Sequence, residues 1–131
     1  MDELKGRTGP NIVFTGNLKS REVAEILSRA RGYVAMAEED FGIANVEALA
    51  SGCPVIGWRK GGIVHTVQNG KNGILFEDKT AVGLNAALHL FEQTQLWSPE
   101  AIAQSAQNFS ASSYRAQLKQ HIVDQLKERQ A

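Results

Sequence analysis

"GYVAMAEEDFGIANVEALASGCPVIGW", residues 32–58, decides the fold. It begins with an apolar run, "GYVAM" (32–36), that lacks a polar/apolar alternation. Such a run reads as a strand covered on both faces. An acidic loop, "AEED" (37–40), follows it. "FGIANVEALASG" (41–52) then reads as a helix, stopped by Gly52 and Pro54. "PVIGW" (54–58) is a second buried strand. The stretch is thus one strand-helix-strand unit with carboxylates where the first strand ends. Glu47 falls inside the helix, where a buried carboxylate needs a partner.

The same pattern extends outward. "NIVFT" (11–15) and "GILF" (73–76) are further apolar runs. "SREVAEILSRA" (20–30) places Val23, Ile26, Leu27 and Ala30 at helical spacing, with Ser20 as N-cap. "KTAVGLNAALHLFEQ" (79–93) is a third helix, with Thr80 near its start and Val82, Leu84, Leu88 and Phe91 on one face. A fourth runs from Ser110, with Tyr114, Leu118, Ile122 and Leu126 recurring every four residues. Four strands alternating with helices predict an α/β fold. Its expected form is a three-layer, doubly wound, Rossmann-like parallel sheet of about four strands, with helices on both faces and helices at the C-terminal end.

The bulk numbers fit one domain over residues 1–131. Fourteen basic residues balance fourteen acidic ones, so charge gives no argument for nucleic acid or anionic membrane. No apolar run approaches the length of a transmembrane helix, which leaves at most peripheral membrane contact. The polar start "MDELKGRTGP" is unlike a signal peptide, and the single cysteine, Cys53, suits a reducing cytoplasm.

Open α/β sheets bind ligands outside the carboxyl ends of their strands. Here those ends lead into "TGNLKS" (15–20), "AEEDFG" (37–42) and "RKGGIV" (59–64). Helix starts attract phosphate, and free carboxylates accept hydrogen bonds from sugar hydroxyls. A rim combining the two suits a sugar nucleotide. Plainer readings stand beside this one. Glu38, Glu39 and Asp40 could cap the following helix. Glu47 could be solvated, or paired with Arg59 or Lys60. Gly61 and Gly62 could form a simple turn. His65 reads as a surface or capping residue with no metal-ligand spacing around it. Cys53, Trp58 and Trp97 read as packing residues.

The stretch "EDFGIANVEALASGCPVIGWRKGGIVHTVQNGKNGILF" resembles the C-terminal, donor-binding domain of family 4 glycosyltransferases, which are retaining enzymes of the GT-B fold. Glu39 and Glu47 hold the two glutamate places of that family, with Phe41 and Gly42 after the first. Ala50, Gly52, Pro54, Val55 and Ile56 match the next block, and Gly61 and Gly62 the turn. The resemblance covers about residues 9–93. The "AEEDFG" wording is most similar to mannosyltransferase-type members. The resemblance implies that Glu39 faces the donor sugar and the reacting centre. It implies that Glu47 accepts hydrogen bonds from the ribose. Backbone N–H groups around Phe41, Gly42 and Ile43 would hold sugar hydroxyls or diphosphate, and Gly16, Asn17 and Leu18 would border the base. The donor would be a GDP- or UDP-linked hexose, with GDP-mannose the donor that the mannosyltransferase-type wording implies. The acceptor would be a glycan or lipid, and neither metal nor cofactor is expected. His65 stands near a place where the family often has Glu, and Asp40 where many members have Gly.

The resemblance also implies missing parts. The family's acceptor domain has no counterpart here, nor do the first two strands of the donor domain, with the Arg and Lys that hold the diphosphate. Two arrangements follow. Strand 11–15 pairs directly beside strand 32–36, or exposed edges pair with a second copy or a complementing chain. The isolated chain is expected to be catalytically incompetent. The alternative is a non-catalytic α/β module that binds a nucleotide or assembles with a partner.

Overall fold

A computed structural model describes residues 2–94 and 98–130. In chain order the elements are α1 (Asp2–Gly6), α2 (Ser20–Arg29), β1 (Tyr33–Ala35), α3 (Ile43–Ala50), β2 (Val55–Trp58), α4 (Ile63–Thr66), β3 (Gly73–Phe76), α5 (Ala81–Gln93), α6 (Pro99–Ser105) and α7 (Ala111–Gln130). A 3-10 turn, Ala106–Phe109, links the last two helices. Trp97, expected to pack, lies outside the described residues.

The sheet has three strands in the order β1-β2-β3, all parallel. The central strand is hydrogen-bonded on both sides: Val55 stands opposite Tyr33 on one edge and Gly73 on the other. Val55 and Ile56 point to opposite faces, and both are buried. On one face Val55 joins Leu27, Ala48, Leu49, Ile63, Val67 and Ile102, contributed by α2, α3, α4 and α6. On the other face Ile56, Ile74 and Phe76 pack against Ala87 and Phe91 of α5. This is the three-layer arrangement expected for strands that are apolar on both sides.

Local chemistry explains the boundaries. Gly52 takes a left-handed backbone (φ 76°) after α3. Its N–H donates to the Leu49 carbonyl at 2.9 Å, and the Cys53 N–H donates to the Ala48 carbonyl at 2.9 Å. Together these satisfy the last turn's carbonyls and turn the chain into β2. Thr80 caps α5, its hydroxyl accepting from the Gly83 N–H at 3.2 Å. Ser110 caps α7 in the same way, from the Ser113 N–H at 3.2 Å. At α2 the cap falls one residue before the expected Ser20. The Lys19 N–H donates to Glu22 Oε2 at 2.7 Å, and Ser20 is already helical.

Residues 11–15 correct the expected count of four strands. They form no ladder, and Ile12, Val13 and Phe14 are exposed, Val13 at 80%. An apolar run becomes a strand only where another strand accepts its hydrogen bonds, and β1 takes none from this segment. The outer edge of β1 is therefore open, and Val34, on the α5 face, is exposed because α5 covers β2 and β3. Val82, expected on the buried face of α5, is exposed as well, as is Ile26 of α2. The recurring Tyr114, Leu118, Ile122 and Leu126 do lie on a helix, but all four are exposed. Helices α4 and α6 and the 3-10 turn were not anticipated. Among the described residues, no helix is long and apolar enough to cross a membrane.

A buried amide ties the loop before β3 to α6. Asn72 is 2% exposed; its Oδ1 accepts from the Gln68 N–H at 2.7 Å, and its Nδ2 donates to Ser105 Oγ at 2.9 Å. Removing it leaves a cavity at a buried position and takes away the acceptor of the Gln68 N–H and the donor to Ser105, which keeps its own bond to the Ile102 carbonyl at 2.6 Å. Asn72→Ala is expected to cost about 2 kcal/mol, read as a lower urea midpoint at unchanged m-value.

Candidate functional site

The parallel strands all present their carboxyl ends to one rim. There the loop after β1 meets the loop after β2. The Gly62 N–H donates to the Glu39 carbonyl at 2.7 Å, and Glu39 pairs with Gly61 as an isolated parallel bridge. A side chain on Gly62 would stand 2.6 Å from both the carbonyl carbon of Asp40 and the Cα of Phe41. Gly61–Gly62 is thus a backbone-to-backbone docking point rather than a simple turn.

That docking sets the start of α3. Gly42 turns the chain with φ 77° and lies buried. The Asn45 N–H closes back on the Gly42 carbonyl at 3.0 Å. The N–H groups of Ile43 and Ala44 have no carbonyl within the helix and form its electropositive end. Phe41 and Ile43 are exposed beside them, the Phe41 ring meeting Phe109 edge-on at 5.9 Å.

Glu39 and Glu47 are both exposed, and among the described residues neither carboxylate has an ion-pair partner. The pairing of Glu47 with Arg59 or Lys60 is corrected: Arg59 binds Glu77 (3.2 Å) and Lys60 binds Glu38 (3.1 Å). Exposure resolves the puzzle of a carboxylate on this helix, since Glu47 occupies a solvent-facing position between the buried Asn45 and Ala48. The charges of the two glutamates both act on one residue that the sequence did not single out. The Tyr33 hydroxyl is held above its ordinary pKa by burial first, then by the charges of Glu39 and of Glu47. Glu47 also lines a cleft of about 190 Å³ between α2 and α3, with Ser20, Val23 and Ser51. That cleft brings Glu47 to the beginning of α2, just after Gly16, Asn17 and Leu18. Gly16 has φ 65° and is exposed with Asn17, while Leu18 is half-buried.

Three of the other rim charges, Arg59, Lys60 and Lys79, are engaged. Lys79 lies 4.1 Å and Lys60 5.3 Å from the Trp58 ring centroid, and the Trp58 indole N–H donates to the Glu77 carbonyl at 3.0 Å. His65 is exposed on α4. Cys53 is buried, and burial pushes its thiol up to about 11, which suits packing and not nucleophilic attack. Among the described residues, no group of three or more His, Cys, Asp or Glu could hold a metal ion.

The site's electrostatics can be read without a ligand. Negative charge opposes formation of tyrosinate, so Glu39→Gln and Glu47→Gln should each lower the Tyr33 pKa toward its ordinary value. Ultraviolet titration of tyrosinate measures this, with Tyr33→Phe assigning the remaining signal to Tyr114. The raised pKa stabilises the fold below the ordinary tyrosine range. That contribution is lost as pH rises through the folded value, because the unfolded chain releases its proton first.

The family model "Glycosyl transferases group 1" matches residues 4–109. The chain therefore belongs to the group 1 glycosyltransferases. It is 38% identical over 88 residues to the N-acetyl-alpha-D-glucosaminyl L-malate synthase of Bacillus anthracis, a match covering 65% of this chain and 22% of that protein. It is 38% identical over 73 residues to the sulfoquinovosyl transferase of Arabidopsis thaliana, covering 53% of this chain and 14% of that protein. Among solved structures, a sucrose-phosphate synthase from Thermosynechococcus elongatus superposes with a TM-score of 0.78 at 24% identity, over 95% of this chain and 33% of the other. The Anabaena protein HepE, solved with UDP and glucose, superposes with a TM-score of 0.62 at 26% identity, over 95% of this chain and 34% of the other. The chain thus spans less than a quarter of the length of these two curated relatives and about a third of the structural ones.

Proposed function

We propose that this chain is the nucleotide-sugar donor-binding portion of a retaining glycosyltransferase that moves a hexose to a glycan or lipid acceptor. The observation that carries the reading is a pair of exposed carboxylates, Glu39 and Glu47, that have no ion-pair partner among the described residues and flank the start of α3 at the carboxyl rim of the sheet. Glu47 accepts hydrogen bonds from the ribose hydroxyls, and Glu39 faces the sugar and its reacting carbon. The N–H groups at the start of α3, around Phe41, Gly42 and Ile43, meet sugar hydroxyls or diphosphate. Gly16, Asn17 and Leu18 border the base. The bond from the sugar's anomeric carbon to the diphosphate breaks. A bond from the acceptor oxygen to that carbon forms on the same face, and the acceptor's hydroxyl proton passes to the departing diphosphate. Protein donors, with no metal, stabilise the departing charge.

Two donors fit this reading. UDP is favoured by the complexes of HepE with that nucleotide. GDP-mannose is favoured by the wording "AEEDFG". The setting is cytoplasmic.

The charge arrangement argues against turnover by the chain alone. Arg59 and Lys60 are already held by Glu77 and Glu38, so a diphosphate at the rim would have to compete for them. The open edge of β1 and the exposed apolar residues of α7 favour a complementing domain or a second copy. They also favour the second reading, a non-catalytic module that binds a nucleotide or assembles with a partner.

Calorimetric titration with UDP, GDP and their sugars tests the proposal. Binding of a ribonucleotide is expected, with Glu47→Ala weakening it at least tenfold and with no sugar transfer by the purified chain. Binding unchanged in Glu47→Ala would overturn its ribose role, and turnover would overturn the incompetence of the chain alone.

A further inference from the structure

Asn45 is a buried amide. It is 6% exposed, and among the described residues its side chain has no hydrogen-bond partner. An asparagine side chain carries two donors and an acceptor oxygen, and interiors rarely leave them unused. Its neighbours along the helix, Ala48 and Leu49, are fully buried and apolar, so a leucine of similar size would suit the packing better. The amide folds back over the turn into α3. A side chain added at Gly42 would collide with Asn45 Nδ2 and would lie 3.6 Å from Glu39 Oε2. Gly42 is therefore close to both an amide and a carboxylate that have no hydrogen-bond or ion-pair partner among the described residues.

We infer that Asn45 and Glu39 form a donor-acceptor pair that recognises a ring hydroxyl of the hexose in the sugar nucleotide. This rests on the proposed donor site. A sugar hydroxyl gives one proton and accepts another. The Glu39 carboxylate takes the first, and the Asn45 N–H supplies the second. Neither group alone distinguishes a hydroxyl from a water, whereas the pair fixes both the position and the direction of the hydroxyl. A site built to bond a hydroxyl discriminates strongly against analogues lacking it, because its polar groups are then left unmet. Asn45 is thus a specificity-determining residue for the sugar, separate from the ribose contact of Glu47. Gly42 is glycine because its turn needs a positive φ and because a Cβ would collide with Asn45 Nδ2.

The test is Asn45→Leu, with two readouts. The first needs no ligand: removing an unsatisfied buried amide should raise Tm by about 3–6 °C. The second compares UDP with UDP-glucose and GDP with GDP-mannose by calorimetry. The substitution should weaken the sugar nucleotide at least tenfold while leaving the diphosphate within about twofold, with Glu39→Gln showing the same selectivity. A lower Tm with unchanged sugar-nucleotide affinity would make Asn45 a structural residue and overturn the inference. Equal losses for diphosphate and sugar nucleotide would do the same. A wild-type chain that binds the diphosphate but gains nothing from the sugar would overturn this inference alone. A wild-type chain that binds neither would overturn the donor-site reading and this inference with it.

Discussion

The hydrogen bond from the Gly62 N–H to the Glu39 carbonyl, 2.7 Å long, joins the loops that leave β1 and β2. Two parallel strands fix the spacing of their ends, but not the path of the chain beyond them. This bond extends the strand pairing past the sheet and forces the Asp40–Phe41 backbone against Gly62. The left-handed turn at Gly42 follows, and with it the direction of α3 and the positions of Asn45 and Glu47 along it. A backbone contact this close needs glycine at the point of approach, so the Gly-Gly pair acts at the rim rather than within its own turn.

The rim's charges divide into those already engaged and those left open. Lys60 is matched to Glu38, Arg59 to Glu77, and Lys79 lies over the Trp58 ring. Exposed pairs of this kind contribute little to stability, but they occupy cations that a diphosphate would otherwise find. Glu39 and Glu47 have no such partners, and their joint field is felt at the Tyr33 hydroxyl. On the proposed reading, open carboxylates beside cations that are already engaged suit hydroxyl groups better than phosphate alone. Open surfaces also occur elsewhere in the fold. The outer edge of β1, the apolar residues 12–14 and the apolar positions of α7 are all exposed in a chain that spans about a third of its structural relatives.

Most of the architecture was legible in the sequence because it rests on local rules. Apolar runs without alternation marked β1, β2 and β3, and Gly52, Thr80 and Ser110 marked helix ends through backbone conformation and capping. The short α4 and the pair formed by α6 and the 3-10 turn lacked a strong periodic signal, and they owe their place to the core around Val55 and Ile102. Of the site, the spacing of Glu39 and Glu47 and the glycines at 42, 61 and 62 could be read directly. Tyr33 and Asn45 could not, since nothing local distinguishes them from a strand tyrosine and a helix asparagine.

The sequence by itself determined which segments are apolar, where helices begin and stop, and which loops carry carboxylates, because each depends on neighbours within a few residues. Only the tertiary structure decided whether those segments find partners. "NIVFT" and "GILF" look alike as sequence, yet residues 73–76 become a strand beside β2 and residues 11–15 remain unpaired. Strand formation depends on hydrogen bonds to a distant part of the chain, and the period of side chains carries no information about who supplies them. The same holds for Glu47. Its place in an apolar helix suggested a buried charge, and packing on the sheet turned that position outward toward solvent.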